Sequence, residues 1–260
     1  MEIGMKLLAA KHASNEVSDG LKVLFGMEQP DQVNFKAYAP LKRRYTSAVM
    51  NESQLEAISG AMAASQLFLI HGPPGTGKTT VLIEYILQAV LEQGKRLLVC
   101  APSNVAVDNI VERLAPYVRG LSVPSSSNEA SSSAPSSSAP SSSATQLFKM
   151  VRIGHPARVS SQAALHYTVE EQYRQSNGYE VVKSLEEDMD RVAKEISRTS
   201  SFAAKRPLKR EWVDMKRDLK KTMNATMSQV IQSANVVLAT CTGADDRLLR
   251  GGASFDVVVV

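Results

Sequence analysis

The residues of this 260-residue chain best suited to chemistry form a glycine-rich octet, GPPGTGKT, from Gly72 to Thr79. Its pattern of Gly, four residues, then Gly-Lys-Thr is typical of loops that hold the phosphates of nucleotides. Glycines lack a β-carbon, so the backbone can turn tightly and bring its N–H groups onto phosphate oxygens. The Lys78 amine can reach the β- and γ-phosphates, and the Thr79 hydroxyl can bind Mg²⁺, so we expect both side chains to serve catalysis. The predicted nucleotide-binding residues here are Gly72, Pro73, Pro74, Gly75, Thr76, Gly77, Lys78, Thr79 and Thr80.

Two elements are predicted to position this loop. The apolar run Leu67 to Ile70 has the length and composition of a short buried strand. After the loop, apolar residues recur at helical spacing up to Val90, and Gly94 supplies a stop signal. The free amides and the dipole at the start of that helix favour an anion. The alternative, a glycine-rich turn without a ligand, does not explain this strand-loop-helix context.

A helix upstream of the loop carries a candidate base-recognition residue. Asn51 is a suitable N-cap, and Gln54 follows in the first turn. An amide both donates and accepts hydrogen bonds, so Gln54 could bind N6 and N7 of adenine. An ordinary polar helix residue is the alternative.

Polar residues also follow the next predicted strand, Arg96 to Cys100. Ser103 and Asn104 lie where that strand ends and a helix begins, which is the ligand-facing edge of an open α/β sheet. Short hydroxyl and amide donors at such an edge suit the backbone phosphates of a nucleic acid. Simple N-capping is the alternative, and both roles can coexist.

Further strands are predicted at residues 149–153, 234–239 and 255–260, and we expect the last to be almost entirely core. Between them, two helical patterns separated by a break at residues 199–207 predict an antiparallel hairpin. A stripe of Trp and Met residues would form its packing seam. Eight basic residues would line the outer faces, suited either to nucleic-acid phosphates or to solvent: Lys205, Arg206, Lys209, Arg210, Lys216, Arg217, Lys220 and Lys221.

Composition narrows the class of protein. Residues 146–232 hold 16 basic and 11 acidic side chains, so they carry more than the whole chain's net charge of +4. No stretch approaches the 18 apolar residues of a membrane span, so we expect no membrane partner. Two cysteines, both expected in the core, indicate a reducing, intracellular setting in the cytoplasm or nucleus. The serine-rich run at residues 124–145 has no apolar content and is predicted to be disordered.

Five stretches together resemble superfamily 1 helicases of the nonsense-mediated-decay and senataxin type, and most of all the immunoglobulin-mu-binding type. They are NESQLEAI, IHGPPGTGKTT, LLVCAPSNVAVDNIVERL, VRIGHPAR and SANVVLATCTGA leading to FDVVVV. The GPPGTGKT octet alone is equally typical of AAA+ ATPases, but APSNVAVDN is more specific. An AAA+ protein would also need an acidic strand some tens of residues after the loop, where this chain has serines.

The resemblance implies an α/β fold, a RecA-like P-loop NTPase domain with an inserted antiparallel helical hairpin. It implies ATP and Mg²⁺ as cofactors, Gln54 at the adenine, and Ser103, Asn104, Thr240 and Thr242 near single-stranded RNA or DNA. The corresponding activity is ATP-driven 5′-to-3′ translocation and unwinding. The implied segments are an N-terminal helical or irregular piece (1–50), the first RecA-like part (51–121), a disordered insertion (122–145), a strand and loop (146–158), a helical subdomain (159–232) and the continued RecA-like part (233–260).

One departure from the family bears on activity. In these helicases Asp-Glu follows FDVVVV and supplies the Mg²⁺-ordering carboxylate and the residue that activates water; a second motor domain supplies an arginine finger. Since this sequence holds neither, we expect a fragment of a helicase that binds ATP without efficient turnover. A non-catalytic nucleotide- or nucleic-acid-binding module is the alternative.

Overall fold

The computed structural model describes residues 19–29, 45–46, 48–118, 148–250 and 253–260. They belong to two compact units, one up to Glu92 and one from Gln93 onward. The serine-rich segment expected to be disordered lies outside the described residues, as does most of the N-terminal segment. The domain boundaries drawn from the sequence stay a prediction.

Three helices lie among the described residues of the first unit. They are α1 (Asp19–Leu24), α2 (Glu52–Ala63) and α3 (Lys78–Leu91). Asn51 caps α2 as predicted: its side chain accepts a hydrogen bond from the Gln54 N–H, and the Gln54 side chain accepts one from the Asn51 N–H. Helix α2 packs against α3, and α3 buries most of its residues from Val81 to Val90. The phosphate-loop helix is thus held in a closely packed setting.

The buried strand predicted before the glycine-rich octet is wrong. In the described structure residues 67–70 belong to no strand, and Leu69 is 81% and Ile70 41% exposed. An apolar run becomes a strand only when a neighbouring strand pairs with its backbone. Composition indicates the tendency to pair but does not supply the partner.

A buried carboxylate anchors the chain ahead of α2. Glu84 on α3 is fully buried, and its oxygens accept hydrogen bonds from the backbone N–H groups of Tyr45 and Thr46 at 2.8–3.2 Å. The Gln88 amide, one turn along α3, donates to the same carboxylate at 2.8 Å. A buried charge is tolerated when such donors replace its water shell, so Glu84 ties this segment to α3.

The second unit is built on a parallel sheet. Its elements are β1 (Leu97–Ala101), α4 (Asn104–Leu114), β2 (Met150–Arg152), α5 (Gln162–Leu165), α6 (Val169–Arg174), α7 (Asn177–Arg198), α8 (Phe202–Gln232), β3 (Val236–Thr240), α9 (Arg247–Arg250) and β4 (Val257–Val259). The strand order is β2-β3-β1-β4 and all pairs are parallel. Parallel strands joined through helices make an α/β sheet of RecA-like type, which confirms the predicted fold class.

The core lies around the two central strands. Val236, Val237, Leu238 and Ala239 of β3 have no measurable exposure, and the residues of β1 are buried apart from the partly exposed Leu98. Strand β4 is one of the two outer strands and pairs only with β1 in the described sheet. The expectation that residues 255–260 are nearly all core is wrong: Val258 is 57% and Val260 89% exposed, because the described helices leave β4 largely uncovered.

Helices α7 and α8 pack against each other as the predicted hairpin. Their partly buried residues include the expected apolar stripe: Leu185, Met189, Val192, Ile196, Trp212, Met215, Leu219, Met223, Met227 and Val230. The connection is shorter than predicted, since α7 ends at Arg198 and α8 begins at Phe202. Pro207 lies inside α8, near its start, where it removes a single backbone hydrogen bond without ending the helix.

Arg96 binds the C-terminal end of α8. Its guanidinium donates to the backbone oxygens of Ile231 (2.7 Å), Ala234 (3.0 Å) and Ser254 (2.6 Å), and lies 4.6 Å from the Phe255 ring centre. A cation at a helix C-terminus satisfies carbonyls that lack helical partners. Arg96 thereby joins α8 to the segment that leads into β4.

Candidate nucleotide and nucleic-acid sites

The glycine-rich octet folds as an exposed loop that runs directly into α3. Gly75 and Gly77 adopt left-handed backbone angles, with φ of +79° and +83°, which side chains disfavour. Gly77 is the N-cap of α3, so Lys78 and Thr79 open the helix. Residues 73–76 and 78–79 are exposed, and a β-carbon at Gly75 would meet nothing within 4 Å. The loop therefore has open space beside free helix amides.

Polar groups of the loop bind one another in this structure. The Lys78 amine donates to the backbone oxygens of Gly72 (2.5 Å) and Pro73 (2.8 Å). The Thr76 hydroxyl donates to the Pro73 oxygen at 2.9 Å. A β-carbon at Gly72 would lie 2.7 Å from that hydroxyl oxygen, so the first glycine is needed for close contact rather than for its backbone angle. The Lys78 amine is thus held over the loop.

Gln54 contacts the loop directly. Its Nε2 donates to the Thr76 backbone oxygen at 3.0 Å, while its Oε1 accepts from the Asn51 N–H. A β-carbon at Gly77 would lie 2.7 Å from Nε2. The structure therefore brings Gln54 together with the loop and engages both ends of its amide there; the adenine role stays a prediction.

The predicted nucleic-acid residues lie at or just past the C-terminal ends of two adjacent strands in the second unit. Ser103 follows β1, is exposed, and caps α4 by accepting a hydrogen bond from the Ala106 N–H at 3.2 Å. The cap uses the hydroxyl oxygen as acceptor, and the phosphate contact of Ser103 stays a prediction. Asn104 is the first residue of α4 and is partly exposed.

Thr240 and Thr242 lie beside them along the same edge, because Thr240 of β3 pairs with Ala101 of β1. The two threonine hydroxyl oxygens are 3.3 Å apart, and the Thr240 oxygen also accepts from the Gly243 N–H at 3.0 Å. Hydroxyl groups on both strands thus gather at one edge of the sheet. Cys241, expected to be core, lies between them and is exposed, whereas Cys100 is buried.

Sequence reasoning missed a buried ionic cluster behind this edge. Arg152, at the end of β2, has no measurable exposure, and its Nε donates to Asp108 Oδ1 at 2.6 Å. Its Nη2 donates to Asn104 Oδ1 at 3.0 Å. The other Asp108 oxygen accepts from the N–H (2.8 Å) and hydroxyl (2.7 Å) of Ser160. The four-residue spacing of Asn104 and Asp108, which puts both on one helix face, was the available signal.

The cluster keeps the Asp108 carboxylate charged. Burial alone would raise its pKa, but the two hydrogen bonds from Ser160 and the contact with the Arg152 guanidinium lower the pKa below its ordinary value. A buried ion pair of this kind needs every remaining lone pair satisfied to be tolerated. Ser160 meets that need at Asp108.

The outer start of α8 presents Lys205, Arg206, Lys209 and Arg210 along one groove with the exposed Phe202. No three His, Cys, Asp or Glu side chains converge there or elsewhere in the described ranges as a metal site requires. Nor is any helix of those ranges long and apolar enough to cross a bilayer.

Comparison with known proteins identifies the family. Residues 49–260 match the family described as AAA domain. The chain belongs to this family. The matched residues include the phosphate loop, the parallel sheet and the helical hairpin described above.

Among similar proteins, DNA-binding protein SMUBP-2 of Mesocricetus auratus is 35% identical over 254 residues, which are 96% of this chain and 22% of that protein. DNA polymerase alpha-associated DNA helicase A of Schizosaccharomyces pombe is 34% identical over 217 residues, or 84% of this chain and 28% of that protein. A regulator of nonsense transcripts 1 homolog of Neurospora crassa is 30% identical over 198 residues, which are 76% of this chain and 14% of that protein. The chain thus spans less than a third of the length of each of these three proteins.

These relatives and the AAA domain match support the superfamily 1 helicase resemblance seen in the sequence. The finer resemblance to the immunoglobulin-mu-binding type stays a prediction.

Proposed function

We propose that this chain is the nucleotide-binding part of an ATP-dependent motor that moves 5′ to 3′ along single-stranded RNA or DNA. The observation that carries the proposal is the loop from Gly72 to Thr79, with two left-handed glycines, an exposed rim and a helix N-terminus at its end. Relatives named as helicases support the coupling of such a loop to nucleic-acid unwinding.

The loop residues fit an ATP–Mg²⁺ ligand. Backbone N–H groups of the loop and of the first turn of α3 would face phosphate oxygens, and the α3 dipole would add to the attraction. Lys78 would exchange its contacts with Gly72 and Pro73 for the β- and γ-phosphates. The Thr79 hydroxyl would be the protein ligand of Mg²⁺. The bound metal supplies charge neutralisation during phosphoryl transfer.

The sheet edge of the second unit would hold the nucleic acid. Ser103, Asn104, Thr240 and Thr242 offer hydroxyl and amide donors on two adjacent strands, and α4 adds helix amides. Contacts of this kind go to phosphates and sugars, so they position a strand without reading its sequence. The cations at the start of α8, at the far end of the hairpin, would offer a separate set of phosphate contacts.

The proposal is tested first by binding of a fluorescent ATP analogue with Mg²⁺. Lys78→Ala removes the amine aimed at the phosphates, and we expect affinity to fall at least tenfold. Lys183→Ala, at an exposed lysine on α7, is the matched control for loss of one positive charge and is expected to bind as the parent chain does. Equal affinities for the parent chain and Lys78→Ala would exclude the loop as the nucleotide site.

A second measurement tests how fast this chain alone hydrolyses ATP. We propose that this chain alone binds ATP with turnover well below about one per second, because efficient transfer needs a water-activating carboxylate and an arginine finger. Steady-state phosphate release is measured with and without single-stranded RNA. RNA-stimulated turnover near one per second would contradict the expected slow hydrolysis. A chain that bound neither ATP nor RNA would contradict the proposed motor function.

A further inference from the structure

The buried cluster behind the sheet edge determines how one side chain of that edge is oriented. Asn104 and Asp108 are four residues apart and therefore lie on the same face of α4. The Arg152 guanidinium joins them, donating to Asp108 Oδ1 at 2.6 Å and to Asn104 Oδ1 at 3.0 Å. One planar cation thus contacts two residues of α4.

The chemistry of arginine decides which end of the Asn104 amide faces inward. A guanidinium has five N–H donors and no acceptor, so only the amide oxygen of Asn104 can meet it. The Nδ2 group of Asn104, with two donors, must therefore be on the opposite side of the amide. Asn104 is partly exposed, whereas Arg152 is fully buried. Among the described residues no side chain or backbone acceptor binds that NH₂ group, so the amide has a fixed acceptor end and an available donor end.

The guanidinium has little room to move. Asp108 is 2% exposed and its second oxygen is held by Ser160, so the carboxylate cannot turn away. A β-carbon at Gly154, where φ is +137°, would lie 2.8 Å from Arg152 Nη1, so that glycine leaves the space the guanidinium occupies. The same Nη1 is buried without a hydrogen-bond partner in the described structure. The position of Arg152 is therefore set by its contacts with Asp108 and Asn104.

We propose that Arg152 is a positioning residue that turns the Asn104 amide so that Nδ2 donates to a phosphate oxygen of single-stranded nucleic acid. Phosphate oxygens are acceptors only, so the reversed amide would place an oxygen against them and repel the ligand. The proposal rests on the proposed function, since it requires a nucleic acid at this edge. Arg152 itself, being fully buried, does not touch the ligand.

The test is a double-mutant cycle on binding of a fluorescein-labelled single-stranded oligouridine to the whole chain. Arg152→Lys keeps a cation for Asp108, but one ammonium group cannot reproduce the forked contact with Asn104. We expect Asn104→Ala and Arg152→Lys each to weaken binding roughly tenfold, and the double variant to lose no more than Asn104→Ala alone. Asn104→Asp keeps the acceptor oxygen but removes the donors, and should lose more than Asn104→Ala.

A purely structural role gives a different pattern. If Arg152 only stabilises the fold, Arg152→Lys weakens binding further in the Asn104→Ala background, and the two losses add. Ser160→Ala serves as the structural control: it removes one hydrogen bond from Asp108 and lowers the melting temperature but leaves the contact between Arg152 and Asn104, so binding stays unchanged. Additive losses with the parent chain still binding overturn the positioning role and leave the proposed function standing. A parent chain that does not bind the oligouridine overturns both.

A second readout does not depend on the ligand. In chain labelled with ¹⁵N-asparagine, the side-chain NH₂ signals of Asn104 are assigned by their loss in Asn104→Asp. We expect a rigid amide in the parent chain and a mobile one in Arg152→Lys. An Asn104 amide equally rigid in both overturns the proposal even where Arg152→Lys lowers stability.

Discussion

Replacement of Gly77 by alanine tests the phosphate loop at its most constrained point. Gly77 has φ of +83° at the N-cap of α3, and an L-residue in that region costs about 1–2 kcal/mol. Gly75 has nearly the same angle, +79°, but a β-carbon there meets nothing within 4 Å. Gly75→Ala is therefore a matched variant that carries the backbone strain alone.

At Gly77 the new methyl group also meets Gln54. Its β-carbon would lie 2.7 Å from Nε2, which donates to the Thr76 oxygen at 3.0 Å. Because Nε2 is the end of a flexible side chain, it moves away and that hydrogen bond is lost, at about 0.5–1.5 kcal/mol. The phosphate-binding shape of the loop is then disfavoured by about 2 kcal/mol in Gly77→Ala, and by about 1–2 kcal/mol in Gly75→Ala.

The assay is the dissociation constant of a fluorescent ATP analogue. Since each 1.4 kcal/mol is tenfold, we expect Gly75→Ala to bind about tenfold more weakly and Gly77→Ala about thirtyfold more weakly than the parent chain. Unchanged affinity in Gly77→Ala, or a larger loss in Gly75→Ala, would refute the reasoning.

Three further outcomes are expected from denaturation experiments. Gly178→Ala should lower stability by about 1–3 kcal/mol, because a β-carbon there would lie 2.5 Å from the Thr226 methyl carbon, and Thr226→Ser should recover part of the loss in urea titrations. Because the pKa of Asp108 is depressed, its stabilisation is complete above the ordinary value of 3.8 and is lost as pH falls through the lower folded value; urea midpoints should therefore fall more steeply towards pH 2.5 in the parent chain than in Asp108→Asn. Glu84→Gln puts an NH₂ group against backbone donors and should cost about 1–3 kcal/mol by chemical unfolding, whereas Glu187→Gln on an exposed face should cost almost nothing.

Local chemistry made much of the molecule predictable from the sequence. Asn51 with Gln54 three residues later is a capping box, and it caps the helix found there. Runs such as Val236 to Ala239 are apolar throughout, as a strand covered on both faces must be, and they form the centre of the sheet. The spacing from Leu185 to Val230 predicted the hairpin seam because a helix repeats its faces every three or four residues.

The predictions that failed concern residues whose structure depends on partners far away in the chain. Leu67 to Ile70 resembles a strand in composition, but whether a strand pairs is decided by its neighbours. Arg152 ends an apolar strand and reads as a solvated charge until the fold brings it against Asp108, 44 residues earlier. Pro207 was read as part of a helix break, although a proline near a helix start loses only one hydrogen bond.

Because Arg96 binds the C-terminal end of α8, a change at that end would move the whole helix. The 31 residues of α8 extend about 46 Å. The hydrogen bond from Arg96 to the Ile231 carbonyl oxygen holds one end of the helix. A tilt of the helix axis by about 5° about that end would displace the other end, at Phe202, by about 4 Å. Small changes in the segment before β4, where Ser254 shares the same guanidinium, would therefore be magnified at the tip of the arm.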